Sequence, residues 1–276
     1  MNSKLSGIKN LLWTLFIVLS LIAIVVGLLF ATFTKYYGGK QDYSMTIQSN
    51  SGKNSSTVND LADVGQGTTS ARGALNQLTE TEDAGADYVN SIIFLCDSTF
   101  IGLRDLSIVD TSQVWGSSSG SLPIDKLLEQ NIKFPNDGSE ISPENAAMVI
   151  KPEIMVIAIG TDNLASTDED TFISNYNTLI RNIRLASPDT QIICCGLPSI
   201  SEEYSGKDGL TVSIMSDGND WIKLVCRDTG AYFLDVQEAL SESVQLLARY
   251  ASSNGRSLNR AGLQTFLEYL RTHAIP

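Results

Sequence analysis

Two stretches decide the fold: Ser91-Ile-Ile-Phe-Leu95, running into Cys96-Asp97-Ser98-Thr99, and Ile154-Met-Val-Ile-Ala-Ile159, running into Gly160-Thr161-Asp162-Asn163. Each is a short unbroken apolar run that ends in small and polar residues. Runs of this length without polar alternation are expected of strands buried on both faces. Two further runs follow the same pattern: Gln191-Ile-Ile-Cys-Cys195 ends at Gly196-Leu197-Pro198, and Ala231-Tyr-Phe-Leu234 ends at Asp235. A shorter apolar pair, Ile108 and Val109, predicts one more strand.

The intervals between these runs carry helical spacing. Ser142-Pro143-Glu144 is a helix start, with a serine cap and proline in the first turn. Phe172, Tyr176, Leu179 and Ile183 share one face, as do Ile214, Trp221, Leu224 and Val225. A last helix from about Asn259 aligns Leu263, Phe266, Leu267 and Leu270. Strands alternating with helices predict an α/β class with a parallel sheet covered on both sides. Ligands of such sheets sit beyond the carboxyl ends of the strands, where Cys96-Asp97-Ser98, Gly160 to Asn163 and the turn after Leu197 all fall.

Upstream, Asn10 to Thr34 is a 25-residue stretch without a charge. As a helix it spans about 37 Å, enough to cross a bilayer. No face of it is polar, which argues against a buried core helix, and its apolar length exceeds that of a cleaved signal peptide. The expected organisation is a cytoplasmic tail (1–9), a single transmembrane anchor (10–34), a Ser/Asn/Gly-rich tether (35–84) with a short helix near 71–82, and an exported domain (85–276). Lysines flank the span on both sides, so charge alone leaves the orientation open. Of the 276 residues, 31 are acidic and 19 basic. Four lysines and no acid lie in 1–40, which leaves −16 for the remainder. That charge repels phosphate backbones and excludes nucleic acid as a partner class. Four cysteines without Cys-x-x-Cys spacing and a single histidine exclude a disulfide scaffold and a zinc site. No cofactor or metal is expected.

Four motifs stand in order: Asp97-Ser98, Trp115-Gly116-Ser117, Gly160-Thr161-Asp162-Asn163, and Asn254-Gly255-Arg256-Ser257 followed by Leu258-Asn259-Arg260-Ala261-Gly262. Over residues 85–276 this resembles the SGNH/GDSL hydrolase family. The resemblance implies a three-layer α/β/α, flavodoxin-like sandwich and esterase chemistry on acylated glycans or similar esters. It makes Ser98 the nucleophile, Gly116 an oxyanion donor, Asp162 or Asn163 the side-chain oxyanion donor, and 254 and 257 the Asp and His positions. Those two positions hold Asn254 and Ser257, and the glycine before Asp97 is replaced by Cys96.

A serine at 257 cannot serve as the base that a serine nucleophile requires. The expectation is therefore a membrane-anchored, extracytoplasmic protein of this family with little or no esterase activity. The alternative is a pseudoenzyme whose cleft binds a cell-wall or surface glycan or a protein. Asp97 has three readings: a cap on the turn after the first strand, a weak base for Ser98, or with Asp162 a divalent-metal ligand. Trp115 either lines the cleft against a sugar ring or packs in the core. His273, far along the last helix, is expected to be solvent-exposed. The cysteines are expected to be buried thiols, with Cys194 and Cys195 on opposite sheet faces, and Cys96 the one open to activation.

Overall fold

The computed structural model of the chain describes residues 73–204, 206 and 208–276. The expected tail, the transmembrane anchor and the tether as far as residue 72 lie outside the described residues. Among the described residues no helix is long and apolar enough to cross a membrane.

The sheet has six strands: β1 (Asn76–Gln77), β2 (Ile92–Cys96), β3 (Val114–Trp115), β4 (Ile154–Ala158), β5 (Gln191–Cys195) and β6 (Tyr232–Leu234), in the spatial order β1-β6-β5-β4-β2-β3. Every neighbouring pair is parallel. The register sets Phe94 beside Val156 and Val156 beside Ile193, so one row of side chains crosses the centre of the sheet. Two short antiparallel hairpins, Ile132–Lys133 with Glu140–Ile141 and Ser241–Glu242 with Gln245–Leu246, lie outside it.

Because side chains alternate along a strand, each strand feeds two cores. Leu95, Trp115, Met155, Ile157, Ile192, Cys194 and Phe233 pack under α2 (Pro143–Ile150), α3 (Glu169–Ala186) and α4 (Val212–Thr229). Ile92, Phe94, Cys96, Val114, Val156, Ile193, Cys195 and Leu234 pack under α1 (Gly85–Asn90) and α5 (Arg260–Arg271). The result is the expected three-layer arrangement, helices on both faces of a parallel sheet. The helices begin where side-chain oxygens meet first-turn N–H groups: Asp168 caps α3, Thr211 caps α4 and Asn259 caps α5. Ser142 stands at the start of α2 but makes no capping bond; Pro143 sets that first turn instead.

Three expectations change. Ile108 and Val109 form no strand; they follow Ser107, whose φ is +50°, and the edge strand comes later, at Val114–Trp115. The segment 74–81 is not helical. Asn76 and Gln77 instead pair with Tyr232 and Phe233, and Leu78 is buried, so the folded part begins before residue 85. Asp83 and Arg271 then tie this segment to the end of α5.

Candidate functional site

Two neighbouring strand ends and the loop before α5 build the site. After β2 the chain turns through Asp97-Ser98-Thr99. Asp97 is fully buried, and its carboxylate accepts from the N–H groups of Thr99 (2.9 Å), Gly160 (3.0 Å) and Thr161 (2.8 Å). One side chain therefore clamps the turn after β2 to the turn after β4. Gly160 makes the second turn possible: its φ is +131°, and a Cβ there would lie 3.1 Å from the Phe172 ring.

The third component is the loop before α5. Asn254 Oδ1 accepts from the N–H groups of Arg256 (2.8 Å) and Ser257 (2.9 Å), folding the loop over its own side chain. Gly255, at φ +71°, lies so close to Tyr204 that a Cβ would fall 2.8 Å from that residue's backbone. Leu258 N–H donates to Thr99 O (3.2 Å), and Ser257 Oγ donates to Ser98 O (3.0 Å). The loop is thus stitched directly onto the serine turn.

Ser98 Oγ is held from two sides. It donates to Asp162 Oδ1 at 2.5 Å and accepts from Arg256 Nη2 at 2.5 Å. The same guanidinium reaches Asp162 Oδ1 (3.2 Å) and, through Nη1, Asp208 Oδ2 (3.0 Å). Asp162 is 4% exposed, and its second oxygen accepts from Leu122 N–H (2.9 Å), Ser121 Oγ (2.8 Å) and Ser98 N–H (3.3 Å). The acceptor positions of this carboxylate are thus occupied by protein donors.

Burial, and then the neighbouring Asp162 carboxylate, push the Asp97 carboxyl up to about 6, against the pull of the Thr99 and Thr161 N–H groups. The folded protein therefore keeps this proton to higher pH than the unfolded chain, where an aspartate ionises near 3.9. The associated stability is present below about pH 4 and is lost as pH rises through 6, a change of about 3 kcal/mol. Urea midpoints taken at pH 4.5, 5.5 and 7 are expected to fall in that order, and Asp97→Asn is expected to flatten the trend. A midpoint that holds steady or climbs across this range in the unaltered chain refutes the assignment.

The structure brings Ser98, Asp97, Asp162 and Ser257 together, with Asn254 shaping the loop. Gly116 also lies at these strand ends. A Cβ on it would stand 2.4 Å from Ile101 Cδ1 and 3.3 Å from Cys96 O, so a side chain there would have to displace Ile101. Three residues fall elsewhere. Asn163 turns away at φ +62° and donates its amide to Asp125 (3.1 Å), not toward Ser98. Trp115 is fully buried among apolar side chains and offers no face to a sugar ring. His273 is not exposed; it is 8% accessible, stacked on Tyr269 (3.8 Å between centroids), with Nδ1 on Tyr269 O. It lies beyond the far end of α5, whose twelve residues extend about 18 Å from the serine turn. Burial, and then Asp97, raise the Cys96 thiol well above its ordinary range, so it is not an activated thiolate.

Arg256 and Ser121 are the site residues that the sequence did not mark. Arg256 sits between two motif positions, and Ser121 ends a serine-rich loop; neither has a spacing that singles it out. Among the described residues no group of three or more His, Cys, Asp or Glu side chains stands together for a metal. Asp97 spends its oxygens on N–H groups, consistent with a cap on the turn.

A parallel three-layer sandwich with a serine on the turn after a central strand, met by the loop entering the last helix, defines a hydrolase-type α/β/α class. The chain belongs to the GDSL-like lipase/acylhydrolase family, whose sequence pattern matches residues 127–265. The match takes in Asp162 and the 254–257 loop; Ser98 lies ahead of it. No curated protein matches the chain. Among solved structures, a Streptococcus pneumonia protein described as a platelet activating factor is similar at 18% identity, with TM-score 0.50 over 66% of this chain and 82% of that one. A Bacteroides fragilis protein described as an acylhydrolase is similar at 14% identity, with TM-score 0.50 over 65% and 84%. At these identities the likeness is one of fold.

Proposed function

We propose that this chain is a membrane-anchored, extracytoplasmic member of the family whose strand-end site binds a cell-surface ligand and does not hydrolyse esters through Ser98. The observation that carries this reading is the Asp162 carboxylate, with one oxygen against Ser98 Oγ and the other facing the Ser98 N–H. In acyl transfer by a serine, backbone N–H groups beside the nucleophile stabilise the oxyanion of the tetrahedral intermediate. A carboxylate oxygen facing that N–H would repel the developing charge.

The proton side is equally poorly served. Ser257, at the place where the resemblance implies a histidine, donates to the Ser98 carbonyl. The cation at the nucleophile is Arg256, which has donors only and takes no proton at physiological pH. Losing a triad base alone costs about 10⁶ in kcat. Descent from esterases of acylated glycans makes a cell-wall or surface glycan the ligand class, with a protein partner as the alternative. The uncharged run at 10–34 supports the anchor, and a short tail left in the cytoplasm is its simplest orientation.

A chain shortened to 65–276 is expected to hydrolyse a small activated acetate ester no faster than its Ser98→Ala variant. Turnover that disappears in Ser98→Ala would reject the proposal and restore the enzyme reading. On the binding side, saturable capture of cell-wall glycan fragments is expected to weaken at least tenfold in Arg256→Ala.

A further inference from the structure

We propose that Cys194 and Cys226 are a thiol pair that closes into a disulfide, cross-linking strand β5 to helix α4. All four cysteines are buried free thiols, and they are not equivalent. Cys194 and Cys226 belong to the core on the α2–α4 face, whereas Cys96 and Cys195 belong to the opposite core.

Two observations fix the pair. Cys194 and Cys226 are fully buried in one core, and Cys194 is the side chain that acts most strongly on the Cys226 thiol. Independently, Cys226 Sγ points at Tyr232 O (3.6 Å), and Tyr232 pairs with Ile193, the residue before Cys194. Helix α4 therefore delivers its thiol onto the sheet at the register of Cys194. The other pairings fail on geometry. Cys194 and Cys195 face opposite sides of the sheet. Cys96 and Cys195 are on strands separated by β4, so their Cα atoms stand two strand spacings apart, about 9.6 Å. A disulfide needs about 4.4–6.8 Å.

The chemistry is thiol–disulfide exchange with a small disulfide such as glutathione disulfide. One cysteine thiolate attacks a sulfur of the oxidant, giving a mixed disulfide and one released thiol. The second cysteine then attacks its partner's sulfur and expels the second thiol. The two cysteines lose two electrons and two protons, and the oxidant is reduced to two thiols. The Cys194 side chain, and then burial, hold the folded Cys226 thiol well above the ordinary thiol range. Closure therefore proceeds when the core opens or before it packs. The bridge would enclose 33 residues, 194 to 226. A loop of that size lowers the unfolded fraction by about 10²- to 10³-fold.

The test incubates the full chain in detergent with glutathione disulfide at moderate urea, where opening exposes the thiols. Alkylation under full denaturation and tryptic mapping follow. The expected result is two alkylated cysteines, Cys96 and Cys195, and a cross-link between peptide 185–207 and peptide 224–227. The cross-link is expected to survive Cys195→Ser and to vanish in Cys194→Ser and in Cys226→Ser. Four alkylated thiols, or a cross-link that persists in Cys194→Ser, would overturn the proposal.

Discussion

Combining Asp162→Asn, Asn254→Asp and Ser257→His in one chain is expected to create ester hydrolysis well above that of the unaltered protein. The three changes act on separate deficits. The amide in place of the Asp162 carboxylate removes the negative charge from beside the Ser98 N–H and supplies a donor, worth about 2.7–4 kcal/mol in the transition state. An imidazole at 257 supplies the base. The 257 side chain already lies over the serine turn, with its hydroxyl 3.0 Å from Ser98 O. A carboxylate at 254 would orient that ring, since Asn254 Nδ2 and Ser257 Oγ stand 3.1 Å apart. A base and an oriented partner together account for most of a triad's acceleration. The gain is expected to reach at least about 10³-fold, while Asp162→Asn alone stays at background. A folded triple variant no faster than its Ser98→Ala derivative would mean that these positions do not form a triad frame.

The largest stability effect is expected at Asp97. Replacing it with alanine leaves three buried N–H groups, on Thr99, Gly160 and Thr161, without their acceptor. A buried donor deprived of its partner costs about 1–3 kcal/mol, so Asp97→Ala is expected to cost about 3–5 kcal/mol in chemical denaturation. The energetic role of Asp97 in the folded state has two sides. Its charge is costly to bury, which raises its pKa, yet removing it costs more because the two turns are built around it. A loss under about 1 kcal/mol would show that water or a shifted backbone satisfies these groups.

The central strands are legible in sequence because burial on both faces leaves unbroken apolar runs at β2, β4 and β5. The edges are not. β1 is two polar residues, Asn76 and Gln77, held by backbone bonds on one side only, and no hydrophobic pattern marks it. β3 is equally short, and the neighbouring Ile108 and Val109 imitate a strand while lying on a turn. The same division holds at the site. Ser98 and Asp162 sit just past strand ends, and the 254–257 loop sits just ahead of the last helix, so their positions follow from the elements they flank. Arg256 escapes because its role depends on a long side chain crossing between loops to reach Ser98, Asp162 and Asp208. Trp115 misleads for a related reason. A glycine and three serines follow it in sequence, but its strand turns it into the core.

β1 has a geometric consequence. All six strands run the same way, so the chain enters the sheet at the edge opposite the one that carries Ser98 and Arg256. The entry point and the site are at opposite poles of the domain. A pull on residue 73 meets first the pairing of β1 with β6, and then the backbone bonds and the Asp83–Arg271 contact that hold 81–84 to the end of α5. Load would strip this edge before it reached the turns that Asp97 holds together.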